Sequence, residues 1–214
     1  DDGFVANNSI RAVFADGNNL YVGADVGLSI SKDNGVSWVT LGDGENGFSQ
    51  KSEVYSVYAK GAKVYVGTEA GISISSDGGN NWTTTTLKQN GFAISSSVKS
   101  VYAIGDKVYA ATGLGLSIST DGGATWKTIT SSTNGFGIQN IIYSVYADEN
   151  KIYAGGAEGI SVSLDGGTTW EMKYTGIEGV SSNPGPSVIN SIYADGVNIY
   201  AGTYAGIVIS KDGG

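Results

Sequence analysis

The sequence predicts an all-β fold built from five repeated four-stranded units, and three observations support this prediction. The 214-residue chain contains 34 glycines but only 2 prolines, a composition typical of many short strands joined by tight turns. Apolar and polar residues alternate over short segments, as they do in strands. The pattern S-x-D-x-G-x-x-W recurs along the chain at a nearly constant interval.

The recurring segment defines the length of the repeat, because its aspartates are spaced by 44, 44, 44 and 47 residues. The copies are Ser31–Trp38, Ser75–Trp82, Ser119–Trp126, Ser163–Trp170 and the shortened Ser210–Gly214. A Val-Tyr-Ala series and a series of single tyrosines keep the same phase. We therefore predict one domain of five repeats, at about 1–44, 45–88, 89–132, 133–176 and 177–214.

The second repeat illustrates the strands expected in each unit. Its four strands are predicted at Val54–Ala59, Lys63–Gly67, Gly71–Ser75 and Trp82–Thr86. In the third strand, Ile72 and Ile74 fall on one face and the two serines on the other. Four antiparallel strands in a repeat of this length predict a blade of a β-propeller, so the chain is expected to be a five-bladed propeller.

Each S-x-D-x-G-x-x-W segment, here called a box turn, is predicted to join the third and fourth strands. Serine and aspartate hydrogen-bond the nearby backbone, glycine supplies a positive φ, and tryptophan fills an apolar layer. The structural residues of the box turns are Asp33, Trp38, Asp77, Trp82, Asp121, Trp126, Asp165, Trp170 and Asp212. The pattern resembles the Asp-box (BNR) repeat of β-propellers, found in sialidases, sortilin-like receptors, some glycoside hydrolases and photosystem assembly factors related to Ycf48. The resemblance implies a propeller fold but no single function, because those families do unrelated things on one scaffold.

The fifth repeat lacks the part that forms the outermost strand elsewhere, since nothing in it corresponds to residues 168–176. Its third strand also differs, because Val208 stands where the other repeats have serine. A sheet ending at Ile207, Val208, Ile209 and Ser210 exposes an apolar edge, which favours pairing with another chain. Two explanations stay open: a neighbour supplies the missing strand, or the strand lies beyond residue 214.

Composition excludes several classes of function. The chain has 12 basic and 20 acidic residues, a net charge of −8, which disfavours nucleic acid as a partner. The resemblance to sialidases implies three substrate-binding arginines, whereas Arg11 is the single arginine, so a sialidase is excluded. The chain has no cysteine and no histidine, which excludes cysteine nucleophiles, serine–histidine triads and histidine metal sites. No metal and no cofactor are predicted, and no segment approaches the roughly 20 apolar residues of a membrane span.

The sequence also carries an indication of location. It begins at Asp1 without methionine or signal peptide, which predicts a processed mature form or an excised segment. An acidic, cysteine-free chain rich in small polar residues is typical of secreted bacterial proteins. We therefore expect an extracellular or cell-surface protein.

Candidate ligand-binding residues lie in the loops between the second and third strands of the repeats. Asp25, Glu69, Glu158 and Tyr204 occupy equivalent or adjacent positions there. Three carboxylates could bind a cation or sugar hydroxyls, with the tyrosine as a stacking platform, or all four could be solvated turn residues. The first strands add a variable series expected to line a channel: Arg11, Tyr55, Lys99, Tyr143 and Asn190.

Three hypotheses of function follow. The first is a non-enzymatic extracellular structural or interaction propeller that assembles head-to-tail with copies of itself, by strand complementation of the incomplete fifth blade. The second is a binding module for a glycan or another envelope protein, using the loop face with the Asn-Gly-Phe connections and the irregular segment 177–190. The third is a glycosidase that uses two carboxylates.

Overall fold

The computed structural model describes residues 9–50, 53–92, 97–138, 141–173 and 188–211. These residues form nineteen strands in five antiparallel sheets, which confirms the all-β prediction. Asp212, the prolines Pro184 and Pro186, and most of segment 177–190 lie outside the described residues. Within the described part of the chain, no helix is long and apolar enough to cross a membrane.

The strands follow one another in the same order in every sheet. Sheet 1 contains β1 (Ile10–Asp16), β2 (Asn19–Ala24), β3 (Gly27–Ser31) and β4 (Val39–Leu41). Sheet 2 contains β5 (Val54–Lys60), β6 (Lys63–Thr68), β7 (Gly71–Ser75) and β8 (Thr83–Thr86). Sheet 3 contains β9 (Val98–Ile104), β10 (Lys107–Thr112), β11 (Gly115–Ser119) and β12 (Lys127–Ile129). Sheet 4 contains β13 (Ile142–Asp148), β14 (Lys151–Gly156), β15 (Gly159–Ser163) and β16 (Glu171–Lys173). Sheet 5 contains β17 (Ile189–Ala194), β18 (Ile199–Thr203) and β19 (Gly206–Ser210).

Each sheet is one blade, and the chain is a five-bladed propeller with an incomplete fifth blade. Sheets 1 to 4 have four strands each, whereas sheet 5 has three among the described residues. In the second repeat the observed strands differ from the predicted ones by only one residue at an end. The antiparallel register is also as predicted, with each strand paired to the next along the chain.

The chain divides into two compact units, Asp1–Val101 and Tyr102–Gly214. In the first unit, one face of sheet 1 packs against one face of sheet 2. Sheet 1 contributes Tyr21, Leu28 and Ile30. The face of a sheet that carries the phased tyrosine and the apolar residues of the third strand is called its trailing face. Sheet 2 contributes Val54, Val57 and Ala59. The face of a sheet that carries these apolar residues of the first strand is called its leading face.

The second unit repeats this packing twice. The trailing face of sheet 3, with Tyr109 and Leu116, packs against the leading face of sheet 4, with Ile142 and Val145. The trailing face of sheet 4, with Tyr153, Ile160 and Val162, packs against the leading face of sheet 5, with Ile189, Ile192 and Ala194. The phased tyrosines of sheets 1 to 4 are almost completely buried, so the prediction that they belong to the core is confirmed.

The connections between blades are held by a contact between an aromatic pair. The Phe48 ring meets the Trp82 ring edge-on at 5.1 Å, and the Trp82 amide donates to the carbonyl of Asn46 at 2.9 Å. Gly47, which lies between Asn46 and Phe48 in the chain, has a φ of 83°. A Cβ added there would overlap the carbonyl oxygen of Trp82, so the close approach of the connection requires glycine.

A pair of hydroxyl groups explains why the first of the two serines recurs in the third strands of sheets 1 to 3. Ser29 and Thr40 are directly opposite one another on β3 and β4, and their hydroxyls are 2.7 Å apart. The same pair recurs as Ser73 with Thr84 in sheet 2 and as Ser117 with Thr128 in sheet 3. In sheet 4, Ser161 bonds the Phe136 carbonyl and contacts the sulfur of Met172 instead.

Val208 takes the place of this serine in sheet 5, where no fourth strand is described. A buried hydroxyl without a partner costs free energy, whereas valine needs no partner. Val208 is half-buried and packs against the apolar cluster between sheets 4 and 5. Valine therefore fits sheet 5, in which the described residues supply no threonine opposite this position.

We expect Gly47→Ala to destabilise the fold more than Gly61→Ala. Both glycines have positive φ, which costs an L-residue about 1 kcal/mol or more. A Cβ at Gly61 meets nothing within 4 Å, whereas one at Gly47 overlaps the main chain of Trp82. The extra loss for Gly47→Ala should be about 1 to 3 kcal/mol, measured by chemical unfolding. Equal losses for the two variants would contradict the close approach.

Candidate functional site

The variable residues of the first strands lie at β-bulges. The register shifts between Ile10 and Ala12 in β1 and between Val54 and Ser56 in β5, so Arg11 and Tyr55 are the extra residues. The same shift places Tyr143 and Asn190 at bulges in β13 and β17. Bulges re-aim a side chain relative to its sheet, and they are frequent next to functional sites.

In the first unit, the Arg11 side chain joins two carboxylates. Its Nε donates to Asp25 Oδ1 at 2.5 Å, and its Nη2 donates to Glu53 Oε1 at 3.1 Å. All three side chains are about one third exposed, at 38%, 32% and 31%. The hydrogen bond from Arg11 lowers the pKa of Asp25, and the same bond raises the pKa of Arg11.

Tyr55 completes this cluster with its hydroxyl and its ring. The hydroxyl donates to Glu53 Oε2 at 2.6 Å. The ammonium of Lys99 lies 3.5 Å from the ring centroid, and the guanidinium of Arg11 lies 5.3 Å from it. Such cation–π contacts are attractive and occupy the ring. Burial, followed by the bond to Glu53, raises the pKa of Tyr55 to about 12, and burial lowers the pKa of Lys99.

The structure brings two of the predicted ligand residues, Asp25 and Glu69, to this cluster. The Glu69 amide donates to the carbonyl of Glu53 at 3.1 Å, and the Glu69 charge acts on both Tyr55 and Lys99. In sheet 2, the loop between the second and third strands therefore meets the inter-blade connection that precedes β5. We call Arg11, Asp25, Glu53, Tyr55, Glu69 and Lys99 the charged cluster.

Sequence reasoning missed Glu53, which accepts bonds from both Arg11 and Tyr55. A signal was present, because the other repeats place Ser9, Ser97, Ile141 and Val188 at the equivalent position. A single charged residue that interrupts a repeat is a better candidate for function than one that recurs.

The other two predicted ligand residues, Glu158 and Tyr204, belong to the second unit. Glu158 is half-buried in the turn between β14 and β15. Tyr204 lies in the turn between β18 and β19, and 84% of its surface is exposed. The hydroxyl of Thr203 holds this turn by donating to the carbonyl of Gly206 at 3.1 Å. Tyr204 thus presents a free aromatic ring, unlike Tyr55.

The box turns lie at the opposite end of each sheet from these loops. In sheet 2 the box turn bonds the turn between the first and second strands, since the Gly78 amide donates to the carbonyl of Ala62 at 2.8 Å. The same bond in sheet 4 runs from Gly166 to Asn150 at 2.7 Å. The box aspartates are therefore remote from the candidate ligand loops of their own sheets.

The hydrogen bonds within a box turn are those predicted for it. In sheet 3, Ser119 Oγ donates to Asp121 Oδ1 at 2.8 Å, and the Gly123 amide donates to Ser119 Oγ at 2.8 Å. Asp121 also accepts the amide and the hydroxyl of Thr125, at 2.9 and 2.5 Å, and the Trp126 Nε1 donates to the Gly123 carbonyl at 2.9 Å. Asp121 thus uses both of its carboxylate oxygens to close the turn.

These bonds stabilise the ionised form of the aspartates. Bonds from the side chain and then the amide of the residue four positions later lower the pKa of Asp33, Asp121 and Asp165 to about 2. The equivalent bonds from Asn81 lower the pKa of Asp77 as well. A carboxylate held ionised in this way is a poor general acid.

The predicted assembly edge divides between the two faces of sheet 5. Ile207 and Ile209 lie on the trailing face and are exposed, whereas Val208 lies on the leading face against sheet 4. Ser210 ends β19 opposite Ile199. The exposed part of the edge therefore consists of the two isoleucines. No group of three or more metal-ligating side chains occurs among the residues that the structure describes.

We expect Asp121→Asn to lower stability at neutral pH and to leave it nearly unchanged at pH near 2. The pKa of this carboxylate is about 2 in the folded chain and about 3.9 when unfolded. Its ionised form therefore stabilises the fold above about pH 4, and this contribution is lost as the pH falls towards 2. Thermal unfolding across this range measures the difference.

Asp43→Asn is the control, because Asp43 is an exposed carboxylate outside the box turns. It should lower the stability at neutral pH much less than Asp121→Asn does. A loss in Asp121→Asn that does not vary with pH would contradict the role given to the ionised carboxylate.

A comparison with protein families identifies one match. Residues 4–151 match the model of a family described as the DUF6242 beta propeller domain. No curated protein matches the chain.

Many solved structures share the fold. The extracellular domain of a hybrid two-component system from B. thetaiotaomicron aligns with a TM-score of 0.72 at 22% identity, covering 94% of this chain and 27% of that one. An ancestral GH74 enzyme aligns with a TM-score of 0.69 at 24% identity, covering 95% and 28%. YCF48 bound to a D1 peptide aligns with a TM-score of 0.57 at 18% identity, covering 97% and 79%. The chain thus spans about a quarter of the first of these structures, and at these identities the likeness shows the fold alone.

Proposed function

Because the chain belongs to the family of DUF6242 beta propeller domains, we propose that it is a non-enzymatic extracellular interaction module that assembles with copies of itself. Extracellular domains of Bacteroides sensor proteins share its fold, which supports an extracellular interaction role. The observation that carries the proposal is the exposed apolar edge of sheet 5. Ile207 and Ile209 are exposed there, although the equivalent residues of sheet 1, Leu28 and Ile30, are buried.

Strand complementation is the mode of assembly that the edge favours. β19 pairs with β18 on one side, and no strand is described on its other side. The outer strands of sheets 1, 3 and 4 are only three residues long, so a short extended segment is enough to complete a blade. Main-chain hydrogen bonds of this kind join strands from different chains in β-augmentation.

The electrostatics of the charged cluster support a non-enzymatic role. A carboxylate glycosidase needs one carboxyl group with a raised pKa to protonate the leaving group. Asp25 instead has a lowered pKa, and Glu53 is bonded by both Arg11 and Tyr55. The Asp25 carboxylate, ion-paired with Arg11, can accept hydrogen bonds from a bound partner, but it is poorly suited to donate a proton.

We expect the purified chain to associate reversibly, with a mass that rises with protein concentration. Sedimentation velocity measures the mass, and negative-stain microscopy shows the form of the assemblies. Because apolar surface and main-chain groups make the contact, added salt should not dissociate it. A monomer that persists at every concentration would overturn the proposed assembly.

A second function, binding of a glycan or another envelope protein at the loop face, is favoured by Tyr204. Its ring is 84% exposed at the tip of a turn braced by Thr203, so a flat sugar face can stack on it. The charged cluster, in the other unit, offers carboxylate oxygens that accept hydrogen bonds from hydroxyls.

We expect a glycan array to show binding that Tyr204→Ala weakens by about tenfold, the loss typical of one stacking contact. Tyr204→Phe is the matched control, because it keeps the ring and removes only the hydroxyl. Binding that is unchanged in Tyr204→Ala, or no binding above background, would count against a lectin function.

A further inference from the structure

A cleft of about 290 Å³ lies between the box turns of sheets 3 and 4. Ile118, Trp126 and Ile129 of sheet 3 line it on one side, and Gly167 and Thr168 of the sheet 4 box turn line it on the other. Both sheets belong to the second compact unit, and each has four described strands. The cleft is therefore a feature of the interface between two inner repeats.

A side chain bridges the equivalent place between sheets 1 and 2. There the Lys32 ammonium, in one box turn, donates to Asn80 Oδ1 of the next box turn at 3.0 Å. Sheets 3 and 4 have Thr120 and Thr168 at these two positions. The Thr168 hydroxyl instead donates within its own turn, to the Asp165 carbonyl at 3.2 Å. The repeats thus differ in whether a side chain closes the cleft.

The main chain also leaves more room between sheets 3 and 4. A Cβ added at Gly79 in sheet 2 would lie 2.5 Å from Ile30 Cδ1 of sheet 1. A Cβ added at Gly167 in sheet 4 would lie 3.1 Å from Ile118 Cδ1 of sheet 3. The sheet 4 box turn is therefore farther from the isoleucine that it faces.

The polar groups of the cleft offer one charged donor and several hydroxyl oxygens. Within the described part of the chain, the Lys127 ammonium and the Thr120 hydroxyl have no hydrogen-bond partner. The Thr125 hydroxyl donates to Asp121 at 2.5 Å, and the Thr168 hydroxyl is engaged as a donor as well. These two hydroxyls keep lone pairs with which they accept hydrogen bonds from a ligand.

Charge at the cleft favours an acidic ligand. Lys127 is the one charged residue among the described residues that line it, although the chain as a whole has a net charge of −8. The other complete repeats have Val39, Thr83 and Glu171 at this position. A residue that departs from its repeat in this way is a better candidate for function than one that recurs.

We propose that the cleft binds a single-ring sugar acid. The carboxylate of the ligand accepts a charge-assisted hydrogen bond from Lys127, and its ring hydroxyls donate to Thr125 and Thr168. The apolar face of the ring lies against Ile118 and Ile129. The volume is at the lower limit of small-molecule sites, so it suits one ring rather than an oligosaccharide. This site depends neither on the self-assembly nor on the binding at Tyr204 proposed above.

The first test is a titration of the isotope-labelled chain with D-galacturonate, followed by amide and indole NMR shifts. Galacturonate should give saturable shifts at Trp126, Thr120 and Thr168, with a dissociation constant of about 1 mM, the strength expected of one small ring. D-galactose, the neutral counterpart, should bind about tenfold more weakly, because it lacks the partner of Lys127.

Lys127→Thr removes the ammonium and introduces the residue that sheet 2 has at this position. It should weaken galacturonate binding by about tenfold and abolish the preference over galactose, while leaving galactose binding nearly unchanged. Lys60→Thr is the matched control, because it removes the same charge from an exposed lysine of the first unit that does not line the cleft.

A double variant, Thr120→Lys with Thr168→Asn, closes the cleft with the pair that already bridges sheets 1 and 2. It should abolish binding of both sugars without lowering the temperature of thermal unfolding. The unfolding temperature shows that the double variant is folded, so its loss of binding reports on the cleft.

Three results would overturn the inference. They are equal binding of galacturonate and galactose to the unaltered chain, no saturable shift with galacturonate at residues of the cleft, and full binding by the folded double variant. Sedimentation and the glycan array test the functions proposed above separately, so a failure of either leaves this site in place.

Discussion

The packing of one sheet's trailing face against the next sheet's leading face is the constraint on which the rest of the structure depends. A four-stranded sheet of this size has two apolar faces and cannot bury either of them alone. The phased tyrosine, the alternating isoleucines of the third strand and the valine of the first strand all serve this contact. Stability is therefore a property of neighbouring repeats taken together.

Because the faces must match, variation between repeats is confined to the ends of the strands. At one end, the box turns repeat the same hydrogen bonds with little change, since each closes the same turn with the same geometry. At the other end, the bulges in the first strands of sheets 1 and 2 carry Arg11 and Tyr55, which form one charged cluster with Lys99. The repeats are thus alike in the residues that pack between sheets, and they differ in the residues at the loop end of the strands, where a partner can bind.

The strands, their turns and the incomplete fifth blade could be predicted because every repeat presents the same pattern again. Other features depend on contacts between repeats and have no local signal. Glu53 lies beside Arg11 only because two blades pack together, and the Tyr55 ring is covered by Lys99 from the next repeat. The reason for Val208 likewise required the cross-strand register, which shows that the serine it replaces has a threonine partner in sheets 1 to 3.

The box aspartates also determine the range of pH over which their turns are held closed. Their carboxylates remain ionised in all but strong acid, and the chain has no histidine whose charge would change near neutral pH. The hydrogen bonds that these carboxylates accept are therefore kept from mild acid upward, and the turns between the third and fourth strands stay closed over that whole range.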